Sequence, residues 1–182
     1  EFVLPKLKQE NIAHIDLEVI TNNAAAIKTY SSIGFNIKRT LNSYKGSLST
    51  GNSNSNAEVK YIYRPEWDLL QSFWDWSPSW QNSIQAINNS WSQLDTIGLF
   101  VDENLVGYMV FHPKTNRILQ FAIAKSARKK GLGNQLLNYF ALNKSKTVSL
   151  TNIDDQSQET NNFLSAAGLD LFIRQYEMEF SL

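Results

Sequence analysis

The sequence predicts a mixed α/β fold, and three stretches carry that prediction. Residues 15–44 read as strand, helix, strand; residues 96–112 form a hairpin; and an apolar strand at 117–124 runs into a basic, glycine-bearing loop and a helix. The chain is long enough for such a fold. At 182 residues, 42% hydrophobic and 19% charged, it buries roughly 70% of its unfolded surface on folding.

Phe2, Val3, Leu4 and Leu7 read as the tail of a helix, with Pro5 awkward in a helix interior. Ile15 to Val19 alternates apolar and polar residues, as a strand with one wet face does. Asn23 suits an N-cap, Ala24 to Ile33 is helical, and Gly34 sits where a left-handed C-cap is wanted. A strand pattern resumes from Phe35 to Tyr44. Residues 47–57 are Ser-, Asn- and Gly-rich and bury too little to be an element; they predict a linker between units at 1–46 and 58–182.

Beyond the linker, Trp67 to Trp76 has apolar residues at helical spacing. A second helix is expected over 79–91, with Trp80, Ile84, Ile87 and Trp91 on one face. The hairpin follows, turning at Asp102-Glu103-Asn104. Arg117 to Ala124 is nearly all apolar and predicts a strand buried on both faces. A helix over 134–142, a strand over 147–152, a helix over 158–167, Gly168 as stop signal and a last strand complete the chain.

Composition excludes several classes of function. Seventeen basic and seventeen acidic residues give zero net charge, which argues against duplex nucleic acid or an anionic membrane as partner. No apolar run is long enough to span a bilayer as a helix. Without cysteine there is no disulfide, thiolate metal site or cysteine nucleophile, and His14 and His112 are too few for a histidine cage.

The junction Arg128-Lys129-Lys130-Gly131-Leu132-Gly133 carries the chemistry. Its glycines let successive N–H groups face one point, and the following helix adds free N–H groups and a positive dipole end, so a diphosphate is the natural guest. Arg128 and the lysines can close on an outer phosphate. A plain basic turn remains an alternative. So does a dinucleotide fingerprint, for which Asp154 lies at a suitable distance, although Leu136 replaces the third glycine. A Walker loop is excluded, since no Gly-Lys-Ser/Thr occurs there.

The stretch from Ile123 to Leu137 resembles the acetyl-CoA motif of the GNAT N-acetyltransferase superfamily, Arg/Gln-x-x-Gly-x-Gly/Ala, and the element order from residue 60 onward matches that fold. The resemblance implies a central, mostly antiparallel sheet, splayed at the motif strand and flanked by helices. It implies acetyl-CoA as acyl donor, no metal, and direct transfer to a primary amine of a small molecule or peptide. Phe121, Ala122 and Ile123 would pair with the pantetheine arm. Arg128, Lys129, Lys130, Gly131, Leu132, Gly133 and Asn134 would take the pyrophosphate, with Asn152 completing the donor site. The cytoplasm is the expected location, since acetyl-CoA is found there and no targeting segment is visible, and a homodimer is an allowed assembly.

Residues 15–44 resemble only the rear half of that fold, through Asn23, Ala26, Tyr30, Gly34 and Phe35. An offset of 134 sets Gly168 on Gly34, Ser157 on Asn23 and Leu164 on Tyr30. Tyr30 thus matches the usual acid in the unit without a phosphate loop, whereas leucine stands there in the unit that has one. Either 1–46 is the rear of a preceding domain cut off ahead of Glu1, or it completes the sheet of 58–182 or of a dimer partner. Tyr108 and Tyr176 are the remaining candidate proton donors. Asp154 and Asp155 are the nearest acids; Glu103 reads as a turn cap and His112 as a surface group. Trp74, Trp76 and Trp80 flank the joint of the first two helices, the acceptor side in this family.

Overall fold

The computed structural model describes residues 3–49 and 56–182. The centre of the expected linker, 50–55, and the first two residues, including Phe2 of the expected helix tail, lie outside the described residues. Among the described residues eight strands form one sheet, β1 (His14–Ile20), β2 (Asn36–Ser47), β3 (Glu58–Tyr61), β4 (Asp95–Val101), β5 (Asn104–His112), β6 (Arg117–Ile123), β7 (Thr147–Asp154) and β8 (Leu169–Ser181). Their spatial order is β1-β8-β2-β7-β6-β5-β4-β3, antiparallel throughout except where β6 meets β7.

The helices are α1 (Leu4–Gln9), α2 (Ala24–Ser32), α3 (Trp67–Gln71), α4 (Ile84–Asn89), α5 (Leu132–Asn143) and α6 (Gln158–Ala166). Pro5 falls in the first turn of α1, where its missing N–H costs nothing. Asn23 caps α2 through its side chain, accepting from Ala26 N at 3.1 Å, and Gly34 is left-handed at φ 105°. The hairpin turn at Asp102 and Glu103 has both residues at positive φ, the two-residue turn whose twist matches its strands.

Two tryptophan-rich helices expected from periodicity are shorter than their patterns. The first stops at Gln71. The second begins only at Ser83, whose extended backbone breaks the run and whose Oγ accepts from Ala86 N at 3.2 Å. A serine hydroxyl satisfying the first-turn amides outcompetes continuation of the helix. Trp80 therefore leaves the expected face and is 53% exposed.

The 3–49 unit does not stand apart. β2 lies inside the sheet, between β8 and β7, and β1 closes the edge against β8. The pairing has internal symmetry. Leu41 pairs with Gln175, its own counterpart at an offset of 134, so an approximate two-fold axis passes between β2 and β8 there. Ile20 pairs with Gln175 on one side, and their counterparts, Asp154 and Leu41, pair on the other. Across a flat sheet β1 and β7 would be roughly 14 Å apart. Here the sheet coils until Glu18 of β1 accepts hydrogen bonds from its own counterpart, Asn152 of β7, at 2.9 and 3.0 Å.

The core lies between β4–β7 and α5. Phe111 and Phe140 pack edge to face at 4.9 Å, with Leu136, Met109 and Leu150 buried around them. Among the described residues, no helix is long and apolar enough to cross a membrane.

Candidate functional site

β6 and β7 pair only at Arg117↔Ser149 and Ile118↔Leu150, then diverge. From Leu119 to Ile123 the flank of β6 facing β7 has no strand partner, while its other flank stays paired to β5. The wedge opens into a cavity of about 590 Å³. This explains a departure from the expected burial of β6. Leu119, Phe121 and Ala122 are only half-buried because they face the cavity rather than a second layer of core.

The phosphate loop forms one end of the cavity. Lys129 at φ 61° and Gly131 at φ 77° turn the chain into the head of α5. Gly131 serves as its N-cap without a capping side chain. The amides of Leu132, Gly133 and Asn134 have no intrahelical acceptor, and among the described residues nothing else accepts from them. Three N–H groups and a helix dipole thus address one spot.

Arg128 lines the cavity and is also bonded within the protein. Its Nε donates to Ile123 O at 3.0 Å and one terminal nitrogen to Phe73 O at 2.7 Å, while the other meets Asp75 at 2.7 Å. It ties the loop to the segment after α3. Lys129 and Lys130 are exposed; Lys129 pairs with Glu159 at 3.0 Å and Lys130 donates to Ser126 O at 3.1 Å.

At the other end, Trp74 and Trp76 line the cavity with Pro78, while Trp80 does not. Trp74 Nε1 donates to Tyr108 Oη at 2.5 Å; Tyr108 donates to Gln120 at 2.8 Å, whose amide donates to Asn82 O at 2.6 Å. Tyr108 is fully buried, and burial pushes its phenol well above the ordinary tyrosine range. It stays protonated, a donor and not a base. Tyr176 on β8 and Tyr30 on α2 are not among the cavity's lining residues; Tyr30 packs its edge on Phe35 at 5.9 Å. Leu164, at the position matched to Tyr30, is wholly buried in the core.

Asp154 pairs with Arg39 at 3.2 Å rather than facing the cavity. Asp155 is half-buried and likewise outside the lining. Asn152 does line the cavity. Its backbone is left-handed at φ 66°, a bulge at which Thr151 and Asn152 together oppose Ser43 of β2. Its Nδ2 donates to Glu18 and to Ser79 Oγ at 2.8 Å, so its Oδ1 is the oxygen left over, buried without a partner.

Glu18 is a site neighbour that pattern reading overlooked, although the 134-residue offset sets it on Asn152. Burial is the largest influence on it and raises its pKa above 4.5, against hydrogen bonds from Asn152 and Ser79 that lower it. The native state therefore holds this proton more tightly than the unfolded chain. Stability from Glu18 is full below about pH 4.5 and is lost as pH rises through its native pKa. Glu18→Gln should gain melting temperature relative to the parent as pH is raised from 4 towards 7, checked by thermal melts across that range. A constant difference counts against the assignment.

Elsewhere, His14, Asp16 and Glu179 bring potential metal ligands within 4.8 Å of one another. The Lys38 ammonium occupies that group, 2.8 Å from Glu179 and 3.7 Å from Asp16. It supplies the positive charge.

The fold recurs in solved structures. A functionally unknown conserved protein from Staphylococcus epidermidis superposes with TM-score 0.67 at 15% identity, over 98% of this chain and 79% of that one. A GCN5-related N-acetyltransferase from Kribbella flavida gives 0.67 at 11%, over 97% and 72%. A tandem GNAT protein from the clavulanic acid biosynthesis pathway gives 0.63 at 11%, over 97% and 66%. Identities this low establish the fold alone. No curated protein matches the chain in sequence. The family model described as Acetyltransferase (GNAT) family matches residues 58–156, from β3 through the splayed strand and phosphate loop to the end of β7. The expected mixed α/β sheet, splayed at its motif strand, is the one observed, and the chain belongs to the GNAT acetyltransferase family.

Proposed function

We propose that residues 58–182 bind acetyl-CoA and transfer its acetyl group directly to a primary amine. The observation that carries this reading is the wedge between β6 and β7, with the free amides of Leu132, Gly133 and Asn134 at its mouth. The pyrophosphate sits on those amides and the pantetheine arm runs along the open flank of β6 from Phe121 to Ile123. The acetyl group then faces the end of the cavity where Trp74, Trp76 and Tyr108 stand. Fixed backbone donors suit this task because they need no reorganisation as charge arrives.

In the transfer step the amine nitrogen attacks the thioester carbonyl. A C–N bond forms, the C–S bond breaks, CoA leaves as thiolate, and the proton lost by nitrogen restores the thiol. Tyr108, its hydroxyl committed to Gln120, holds Trp74 in place at this end of the cavity. A second reading has its own support: Leu164, buried where the family's acid stands, cannot donate a proton, which favours a unit that binds CoA without turnover.

Residues 1–46 are, in this proposal, the rear half of another GNAT-like unit interleaved with 58–182. The shared offset and the two-fold pairing of β1-β8-β2-β7 support it. We place the reaction in the cytoplasm, where acetyl-CoA is found.

Acetyl-CoA should raise the melting temperature and NAD should not. At 100 times its dissociation constant a ligand stabilises by about 2.7 kcal/mol. No shift at millimolar acetyl-CoA removes the binding claim. A shift without thiol release across an amine panel selects the second reading.

A further inference from the structure

The acceptor wall differs chemically from the donor wall. Among the described residues, two carboxylates line the cavity, Asp75 and Glu159, paired with the phosphate-loop residues Arg128 at 2.7 Å and Lys129 at 3.0 Å. Neither histidine lines it. Glu18 stands behind Asn152, both its oxygens accepting from that amide and one also from Gln81 at 3.0 Å. The polar groups that line the acceptor end are uncharged and mostly engaged with one another, and the charge behind Asn82 is a cation, Arg117, which donates to Asn82 Oδ1 at 3.3 Å. Tyr108, Gln120 and Asn82 form a closed chain, and Asn82 also donates to Thr151 O at 3.0 Å. The rest of that wall is Trp74, Trp76, Pro78 and Leu119.

Two consequences follow for an amine brought to this wall. An ammonium would be desolvated with no counterion facing it, a cost of several kcal/mol for an unpaired charge. Among the described residues that line this end it would also find no carboxylate or imidazole to take its proton. An alkylamine as basic as a lysine side chain is neutral at pH 7 in only about one molecule in 2,500. An amine that is already neutral escapes both problems.

Resting on the acetyl-transfer reading above, we infer that the acceptor is an apolar, weakly basic aromatic monoamine, rather than a protonated alkylamine, a polyamine or a lysine side chain. Its neutral nitrogen attacks the thioester, the N–C bond forms as C–S breaks, and its proton ends on the departing thiolate through solvent. No protein base is required.

Two probes matched in ring and differing in basicity test this, p-anisidine and 4-methoxybenzylamine, with spermidine as polycation. The full chain is used with acetyl-CoA, and thiol release is followed at neutral pH. The expected kcat/KM for p-anisidine exceeds that of either other amine by at least about tenfold, and its rate is flat between about pH 6.5 and 8.5 because no ammonium has to be deprotonated. Equal or better use of 4-methoxybenzylamine or spermidine overturns the inference. So does a melting shift with acetyl-CoA and no thiol release from any of the three. Absence of that shift overturns the acetyl-CoA reading itself, so the two failures are distinguishable.

Discussion

Arg39→Met is expected to remove about 3–5 kcal/mol of stability, the range for leaving a buried charge without its partner. Arg39 of β2 grips Glu177 of β8 with two nitrogens, Nε at 2.6 Å and a terminal nitrogen at 3.2 Å. Its remaining terminal nitrogen reaches Asp154 of β7 at 3.2 Å and Ser77 O at 2.8 Å. Glu177 is only 3% exposed, so water cannot replace the lost guanidinium. The single variant should show a large fall in urea midpoint. Arg39→Met combined with Glu177→Leu should recover much of it, because apolar packing removes the orphaned carboxylate. A single variant within about 1 kcal/mol of the parent would show the pair to be solvated after all.

Gly133→Val should abolish the acetyl-CoA melting shift while leaving the fold intact. A Cβ at Gly133 would stand 3.0 Å from Phe163 Cζ and 3.3 Å from its Cε2. That ring, stacked on Phe121 at 5.7 Å and at the edge of the cavity, has to give by only a few tenths of an ångström. The branches of valine then crowd the mouth of the wedge, beside the amides proposed to hold pyrophosphate. Gly133 lies in the first turn of α5 without a left-handed backbone, so the substitution does not strain the helix. A loss of at least about 100-fold in affinity, or ~2.8 kcal/mol, is the expected size. Titration calorimetry that finds affinity within threefold of the parent defeats the assignment of this mouth to CoA.

Much of the fold could be read from local chemistry. Asn23 and Gly34 bracket α2 because an N-cap acceptor and a left-handed C-cap are strictly local needs. The loop at Arg128 to Gly133 was legible for the same reason. The insertion of β2 between β7 and β8 was not, since pairing partners more than a hundred residues apart leave no periodic trace in either strand. Nor was the break at Ser83, where a side-chain hydroxyl competes with the backbone in the middle of a helical pattern. The anchoring of Arg128 was not legible either, because the Phe73 and Ile123 carbonyls it donates to meet only in the folded chain.

The interleaved strands also govern when this molecule can exist. β1 is made before the other strands of this sheet, yet its pairing partner, β8, is made after all of them. At roughly 5–20 residues per second, β1 and β2 wait on the order of ten seconds or more on the ribosome for their neighbours. During that interval both carry open hydrogen-bonding edges of the kind that recruit foreign strands. Closure of this sheet is a late event with long loops to pay for, and slow folding follows. A chaperone that shields β1 and β2 until β8 arrives would protect the yield of this sheet.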